Sequence, residues 1–374
     1  MKVILTGGGT GGHIYPALAL ARYIKKVNPL NEILFVGAVG GMEEKIIPKA
    51  GFRLAVLPVK GLPRKINFNL LRSFYLLGKS SVHAVKIINE FKPDVIIGTG
   101  GYAAAPIILS AITKRKIIII HEQNVIPGVT NRFLAPFVYK VCLSFEASQR
   151  YFKKHSNLCI TGNPRASEVG HLEKKTARQI LNMDENLPFL LAVGGSQGAD
   201  RLNQCMVDFL FRSSGNKNIQ IQYITGERYY EEVVSRLKTG KIFERYAGRL
   251  DLRPYQQEMS VSLAAADLVI TRAGATTLAE VTALGVPAII IPSPNVVHNH
   301  QFINAQELVG RGAAILIEEK DLNGKLLQNE IYALLSDLSK LSSMEENSRK
   351  LGYTEAAENI YKLLLSNKKV DKCQ

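Results

Sequence analysis

Val3-Ile4-Leu5-Thr6-Gly7-Gly8-Gly9-Thr10-Gly11-Gly12-His13 and Leu190-Leu191-Ala192-Val193-Gly194-Gly195-Ser196-Gln197-Gly198 are built alike. In each, a short apolar run ends in a glycine cluster, and a new periodic segment follows. That is the pattern of a strand feeding a helix through a turn whose bare N–H groups can cradle a phosphate or sugar. Two such openings predict two α/β domains facing each other, with ligands held between them.

Around these stretches the chain alternates apolar runs with amphipathic segments. Strands are expected at 2–6, 33–37, 53–57, 94–98, 116–120, 140–144 and 157–161, with helices that include 12–26, 42–50, 69–90 and 102–113. Runs such as Ile117-Ile118-Ile119-Ile120 suit strands buried on both faces, as in a parallel sheet. The second half repeats the theme near 189–193, 219–224, 267–271, 287–291 and 313–317, and 328–366 reads as two helices before a polar tail. The junction is placed at Gly162-Asn163-Pro164-Arg165, giving domains over 1–164 and 165–349.

At 374 residues and 46% hydrophobic content, two or three domains with sizeable cores are expected. The longest near-apolar stretch, Ala103 to Ile112, is too short to span a bilayer, and no signal peptide is evident. Cys142, Cys159, Cys205 and Cys373 stand far apart without metal spacing and read as reduced thiols. The net charge of +15 is uneven: residues 1–164 hold 22 Lys+Arg against 7 Asp+Glu, and the remainder 25 of each. The basic half calls for an anionic partner: a membrane surface, a nucleic acid or a phosphorylated substrate.

Gly7, Gly9 and Gly12 satisfy the dinucleotide pattern GxGxxG, which admits an NAD-dependent oxidoreductase. The next strand, however, runs into Gly37-Ala38-Val39-Gly40 with no acid at its tip to grip a ribose. His13, directly after the loop, is either a packing residue or a group that contacts substrate and moves a proton. Ser196 reads as an N-cap or as a diphosphate ligand. Thr277-x-x-Glu280 fits a capping box; alternatively Glu280 accepts hydrogen bonds from two ribose hydroxyls. There is no GxxxxGK[ST] loop, no HExxH and no Asp-x-Asp pair. Charge on a departing diphosphate would therefore be met by helix N-termini, Arg and hydroxyls, with no metal or cofactor. A non-enzymatic nucleic-acid binder or membrane scaffold would explain the charge, but no recognisable nucleic-acid module is present.

Seven motifs then fall in one order: Gly7 to Pro16, Gly98-Thr99-Gly100-Gly101-Tyr102, His121-Glu122-Gln123-Asn124, Thr161 to Arg165, Gly194 to Gly198, Arg272-Ala273-Gly274-Ala275 and Asn299-His300-Gln301-x-x-Asn304-Ala305. Together, from residue 3 to about residue 310, they resemble the MurG family of bacterial cell-wall N-acetylglucosaminyltransferases. The resemblance implies a GT-B fold, with a last helix, about 350–366, packing back on the first domain. It implies inverting transfer of N-acetylglucosamine from UDP-GlcNAc to the MurNAc 4-hydroxyl of lipid I, giving lipid II. By this resemblance His13, Glu122 and Asn124 are catalytic. Thr10, Gly11, Gly12, Asn124, Arg165, Ser196, Ala275, Thr276, Thr277, Glu280, Gln301 and Asn304 take the UDP-sugar. Gly11, Gly12, Gly100, Gly101 and Tyr102 take the acceptor. It further implies a peripheral place on the cytoplasmic face of the membrane, an anionic lipid surface and cell-wall synthesis proteins as partners, and no nucleic acid. The segment Lys60 to Lys86, with Leu70, Leu71, Phe74, Leu77 and Val82 among basic residues, is the expected membrane contact, aided by Lys114-Arg115-Lys116.

Overall fold

The computed structural model describes residues 1–59, 68–152, 157–195, 198–213 and 218–370; side chains are described for these except at 68–77, 297 and 367–370. The chain forms two units: Met1–Glu168 with Tyr353–Gln374, and Val169–Gly352.

The first unit is built on a seven-stranded sheet in the order β3-β2-β1-β4-β5-β6-β7. Its strands are β1 (Lys2–Thr6), β2 (Glu32–Ala38), β3 (Arg53–Leu57), β4 (Val95–Gly98), β5 (Ile117–Glu122), β6 (Lys140–Leu143) and β7 (Leu158–Ile160). Every neighbouring pair is parallel. Alternate side chains feed opposite cores. Val3, Leu5 and Ile119 pack with the helix Gly11–Val27, while Ile4, Ile118 and Ile120 pack with the helix Ala104–Thr113. Burial on both faces explains the unbroken isoleucine run. The helix Ala356–Val370 completes one face: Ala357, Ile360 and Leu364 join that core, and Tyr361 meets Tyr23 edge-on at 5.9 Å.

The second unit carries a six-stranded parallel sheet in the order β10-β9-β8-β11-β12-β13. The strands are β8 (Phe189–Val193), β9 (Gln220–Ile224), β10 (Leu250–Arg253), β11 (Leu268–Thr271), β12 (Ala288–Ile290) and β13 (Ala314–Leu316). β10 has no counterpart in the sequence reading. It is an edge strand whose Asp251 and Arg253 pair with each other, and Asp251 also accepts from Gln222 Nε2 at 2.7 Å, so it lacks the apolar run of a central strand. The C-terminal region holds three helices rather than two: Gly324–Ser336, Leu338–Lys350 and Ala356–Val370. Asp337 separates the first two by capping the second, accepting from Lys340 N–H at 2.9 Å. Among the described residues, no helix is long and apolar enough to cross a membrane.

Both sheets reverse strand order once, between β1 and β4 and between β8 and β11. In open parallel sheets the carboxyl ends of the strands at such a reversal form the ligand crevice. The glycine motifs fall at those two places.

Candidate active site

In the first unit the crevice is lined by the loops after β1, β4 and β5. The helix Gly11–Val27 starts after Thr10, which makes no side-chain cap. His13 Nδ1 lies 3.1 Å from the Gly8 carbonyl and 3.2 Å from Thr10 Oγ1. A carbonyl only accepts, so Nδ1 carries the proton and the neutral ring keeps its lone pair on Nε2. The loop after β4 presses against this imidazole. A Cβ at Gly101 would stand 2.4 Å from the Gly8 oxygen and 3.1 Å from His13 Nδ1, and its φ of +81° also favours glycine. Tyr102 covers Gly9 in the same way, its ring 2.9 Å from where a Cβ would be.

Glu122, at the end of β5, is buried with both oxygens engaged. Oε1 accepts from Asn124 N–H at 3.0 Å and Asn124 Nδ2 at 3.4 Å; Oε2 accepts from Gly128 N–H at 3.0 Å and Asn131 Nδ2 at 2.8 Å. Four donors on one carboxylate make it the organiser of the 123–131 loop. Asn131 Nδ2 also donates to the His121 carbonyl at 3.2 Å, which fixes the amide's orientation. Its buried Oδ1 has no hydrogen-bond partner among the described residues. A Cβ on Gly100 would lie 3.3 Å from His13 Nε2 and 3.6 Å from Asn131 Nδ2, so the two side chains flank the same glycine.

Beneath them runs a buried polar chain. Thr99 Oγ1 donates to the His13 carbonyl at 2.8 Å, and Gln123 Nε2 donates to the Thr99 carbonyl at 2.6 Å and to His121 Nδ1 at 3.2 Å. His121 Nε2 donates to the Gly162 carbonyl at 3.0 Å. Burial, opposed by that carbonyl and aided by His13, pushes the His121 pKa down to about 4, so this ring stays neutral and structural.

The structure thus brings His13, Gly11, Gly12, Gly100, Gly101, Tyr102, Glu122 and Asn124 to one crevice. Arg165 lies in the same unit, ion-paired with Glu168 and with its guanidinium 5.9 Å from the Tyr15 ring. Sequence reasoning passed over Asn131, which stands between Thr130 and Arg132 in the short helix Val129–Leu134 and carries no motif signal. It also passed over Glu43. This acid follows β2 but points inward, 1% exposed, and accepts from Gly9 and Ala38 N–H rather than presenting itself to a ribose. The dinucleotide reading therefore gains no ribose-binding acid from Glu43.

In the second unit, Gly198 N–H closes a turn onto the Gly195 carbonyl at 3.0 Å. Ser196 and Gln197 lie outside the described residues. The helix after this turn, Asp200–Arg212, has no side-chain cap. The helix Ala275–Leu284 begins after Gly274, which puts Thr277 and Glu280 inside the helix. The capping box is therefore not formed, and Glu280 is buried at the second turn. Asn304 Nδ2 donates to the Ala273 carbonyl at 3.3 Å, and Gln301 Oε1 accepts from Ser293 N–H at 2.9 Å. Arg272 Nη1 donates to the Ile291 and Pro292 carbonyls at 3.1 and 3.2 Å and pairs with Glu319. These three side chains tie the loops after β11 and β12 together around the uncapped helix start at Ala275.

Family models match both units: the glycosyltransferase family 28 N-terminal domain over residues 3–143 and its C-terminal domain over residues 189–360. A protein of Acetivibrio thermocellus, named UDP-N-acetylglucosamine–N-acetylmuramyl-(pentapeptide) pyrophosphoryl-undecaprenol N-acetylglucosamine transferase, is 42% identical over 97% of each chain. One of the same name from Caldanaerobacter subterraneus is 43% identical, covering 97% of this chain and 99% of its own. The chain belongs to the MurG family, within glycosyltransferase family 28. Among solved structures, MurG of Acinetobacter baumannii superposes with a TM-score of 0.75 at 24% identity, covering 98% of this chain and 99% of its own. A UDP-GlcNAc 2-epimerase of Neisseria meningitidis bound to UDP-GlcNAc reaches 0.70 at 13% identity, covering 98% and 100%. Likeness at these identities shows the GT-B fold alone, and an epimerase sharing it illustrates that the fold does not select the reaction. In this MurG-family chain the choice rests on the relatives and on the two crevices.

Proposed function

We infer that this chain transfers N-acetylglucosamine from UDP-GlcNAc to the MurNAc unit of undecaprenyl-pyrophosphoryl-MurNAc-pentapeptide, converting lipid I to lipid II. The observation that carries the reading is near-full-length identity of 42–43% to transferases named for that reaction. The transfer is an in-line displacement: the acceptor 4-hydroxyl oxygen bonds to the anomeric carbon, the bond to UDP breaks, and the configuration inverts. His13 Nε2 takes the hydroxyl proton. Glu122 orients Asn124 and Asn131, and the Asn131 Oδ1 is left to accept from the acceptor. Gly11, Gly12 and the loop Gly100-Gly101-Tyr102 border the acceptor's pyrophosphate, with Thr10 at the rim.

On the second unit, Glu280 holds the ribose hydroxyls, and the N–H groups of Ala275, Thr276 and Thr277 face the diphosphate at the helix start. Ser196 assists there, and Gln301 and Asn304 take the sugar; Arg165, on the first unit, is the further residue read as a UDP-sugar ligand. Glu280→Ala is expected to raise KM for UDP-GlcNAc about 10- to 100-fold, the loss of a pair of charge-assisted hydrogen bonds, with kcat much less affected. An unchanged KM in initial-rate kinetics refutes this assignment.

The acceptor's lipid requires a membrane surface. Leu70, Leu71, Phe74 and Leu77 lie outside the residues with described side chains; Val82 is exposed. A described apolar stripe lies elsewhere on the first unit: Val129, Phe133 and Phe137 are 74%, 64% and 56% exposed, with exposed Arg132 among them. Exposed Lys114 and Arg115 precede β5, whose partner β6 opens at Lys140. Such a surface suits an anionic leaflet. Replacing Phe133 and Phe137 by Ser should weaken sedimentation with anionic vesicles at least about 10-fold. Binding indifferent both to these changes and to lipid charge would refute membrane contact through this stripe.

The overall reading is tested by transfer of labelled sugar from UDP-GlcNAc to a short-chain lipid I analogue in chelator. Product establishes donor and acceptor class; UDP binding without product reopens the acceptor.

A further inference from the structure

Glu43 opens the helix Glu43–Lys49, and nothing in the reaction as described uses it. It is nevertheless among the most deeply buried acids, 1% exposed. Its Oε1 accepts from Ala38 N–H at 2.8 Å and its Oε2 from Gly9 N–H at 3.2 Å. Three glycines leave room for it: a Cβ at Gly8, Gly37 or Gly41 would stand 2.2, 2.4 and 2.4 Å from atoms of its side chain. A buried carboxylate is costly unless its oxygens are satisfied, so these N–H groups and this acid hold one another in place.

The Gly9 N–H belongs to the same planar peptide as the Gly8 carbonyl, and in a trans peptide the two point in opposite directions. Glu43 takes the N–H side; His13 Nδ1 lies 3.1 Å from the carbonyl side. Carboxylate, peptide and imidazole therefore form a continuous line. We propose that Glu43 is a positioning residue for His13, acting through the Gly8–Gly9 peptide. It aims the Gly8 carbonyl at Nδ1, holds the ring in its Nδ1–H form, and polarises the peptide so that Nε2 is a stronger base. The arrangement does the work of an acid placed directly behind a catalytic histidine, with a backbone amide interposed. It rests on the transferase reading only for the role of His13; the geometry stands without it.

The other titratable groups around the imidazole do not supply this function. His121 is neutral and bonded to Gly162. The Glu122 carboxylate is occupied by its four donors, and Tyr102 lies over Gly9. Glu44, next to Glu43, is exposed and accepts from Gly40 N–H at 3.2 Å.

The test compares Glu43→Gln with the native enzyme in the transfer assay across pH, and follows the His13 ring nitrogens by NMR in both. Glu43→Gln removes the charge and can accept only one of the two N–H groups. Expected are a kcat about 10-fold or more lower and KM for UDP-GlcNAc unchanged. The acid limb of kcat should move down by about half a pH unit, because the imidazolium loses its distant counter-charge. A merely structural role would lower kcat or Tm without moving that limb, and an unmoved limb overturns the proposal. Should Glu43→Gln not fold, the native protein decides alone: above its pKa His13 must show the Nδ1–H form, and the Nε2–H form overturns the relay. A native enzyme without transferase activity would sink the functional reading, while the NMR comparison would still judge the relay.

Discussion

His13→Ala is expected to lower kcat by about 10²- to 10⁴-fold, the usual range for removing a positioned general base, with KM for UDP-GlcNAc unchanged. The expectation follows from where the imidazole sits. Its ring is pinned through Nδ1 at the Gly8 carbonyl, flanked by Gly100 and Gly101, and held at its backbone by Thr99. Unlike the buried His121, this ring stands at the carboxyl ends of the strands, at the start of the helix after β1. Alanine leaves the Thr99 contact intact, since that bond uses the His13 backbone oxygen, so folding should survive. Initial-rate kinetics with both substrates, alongside a melting curve, measure this. Native turnover in a folded variant would remove His13 from the chemistry.

Glu122→Gln should lower stability by about 4 kcal/mol, because an amide nitrogen would then face donors that now meet a carboxylate oxygen. On the Oε2 side those donors are Gly128 N–H and Asn131 Nδ2. A loss of that size is a large share of a typical folding free energy of about 5–15 kcal/mol. Activity should fall with it, since Asn124 and Asn131 lose their orientation. The resemblance placed Glu122 among the catalytic groups, and the two roles separate cleanly. An acid that moves protons would lose turnover on conversion to Gln with stability intact, whereas an organiser loses both. Chemical denaturation and turnover measured on one preparation decide, and unchanged stability refutes the organising role.

Much of the architecture was legible because it depends on local patterns. Val/Ile/Leu runs ending in glycine at 3–12 and 190–198 gave strand, turn and helix without long-range information. β10 escaped because an edge strand needs no apolar run: Asp251 and Arg253 satisfy each other at its surface. The capping-box reading of Thr277 and Glu280 failed for a related reason. The pattern marks a helix start, but the chain starts the helix at Ala275, after Gly274. The loops at the strand ends were legible because motif residues make them, and the residues that support those loops were not. Glu43 reaches its partners from 42–50, a segment that reads as ordinary helix and is distant from Gly9 in sequence, and Asn131 stands in a segment to which the sequence reading assigned no element.

The sequence by itself determined that this chain folds as two parallel α/β units of the GT-B class, that it belongs to the MurG family, and that glycine loops follow β1 and β8 at the strand-order reversals. Tertiary structure alone decided what each polar side chain near those loops does. The role of a carboxylate is set by what its oxygens meet. Glu122 meets four donors of its own loop; Glu43 meets backbone N–H groups brought to it from β2 and from the loop after β1. The donors to Glu122 lie within nine residues of it, whereas Gly9 meets Glu43 from 34 residues away because β1 and β2 pair side by side in the sheet; in neither case does the residue pattern state which oxygen meets which donor.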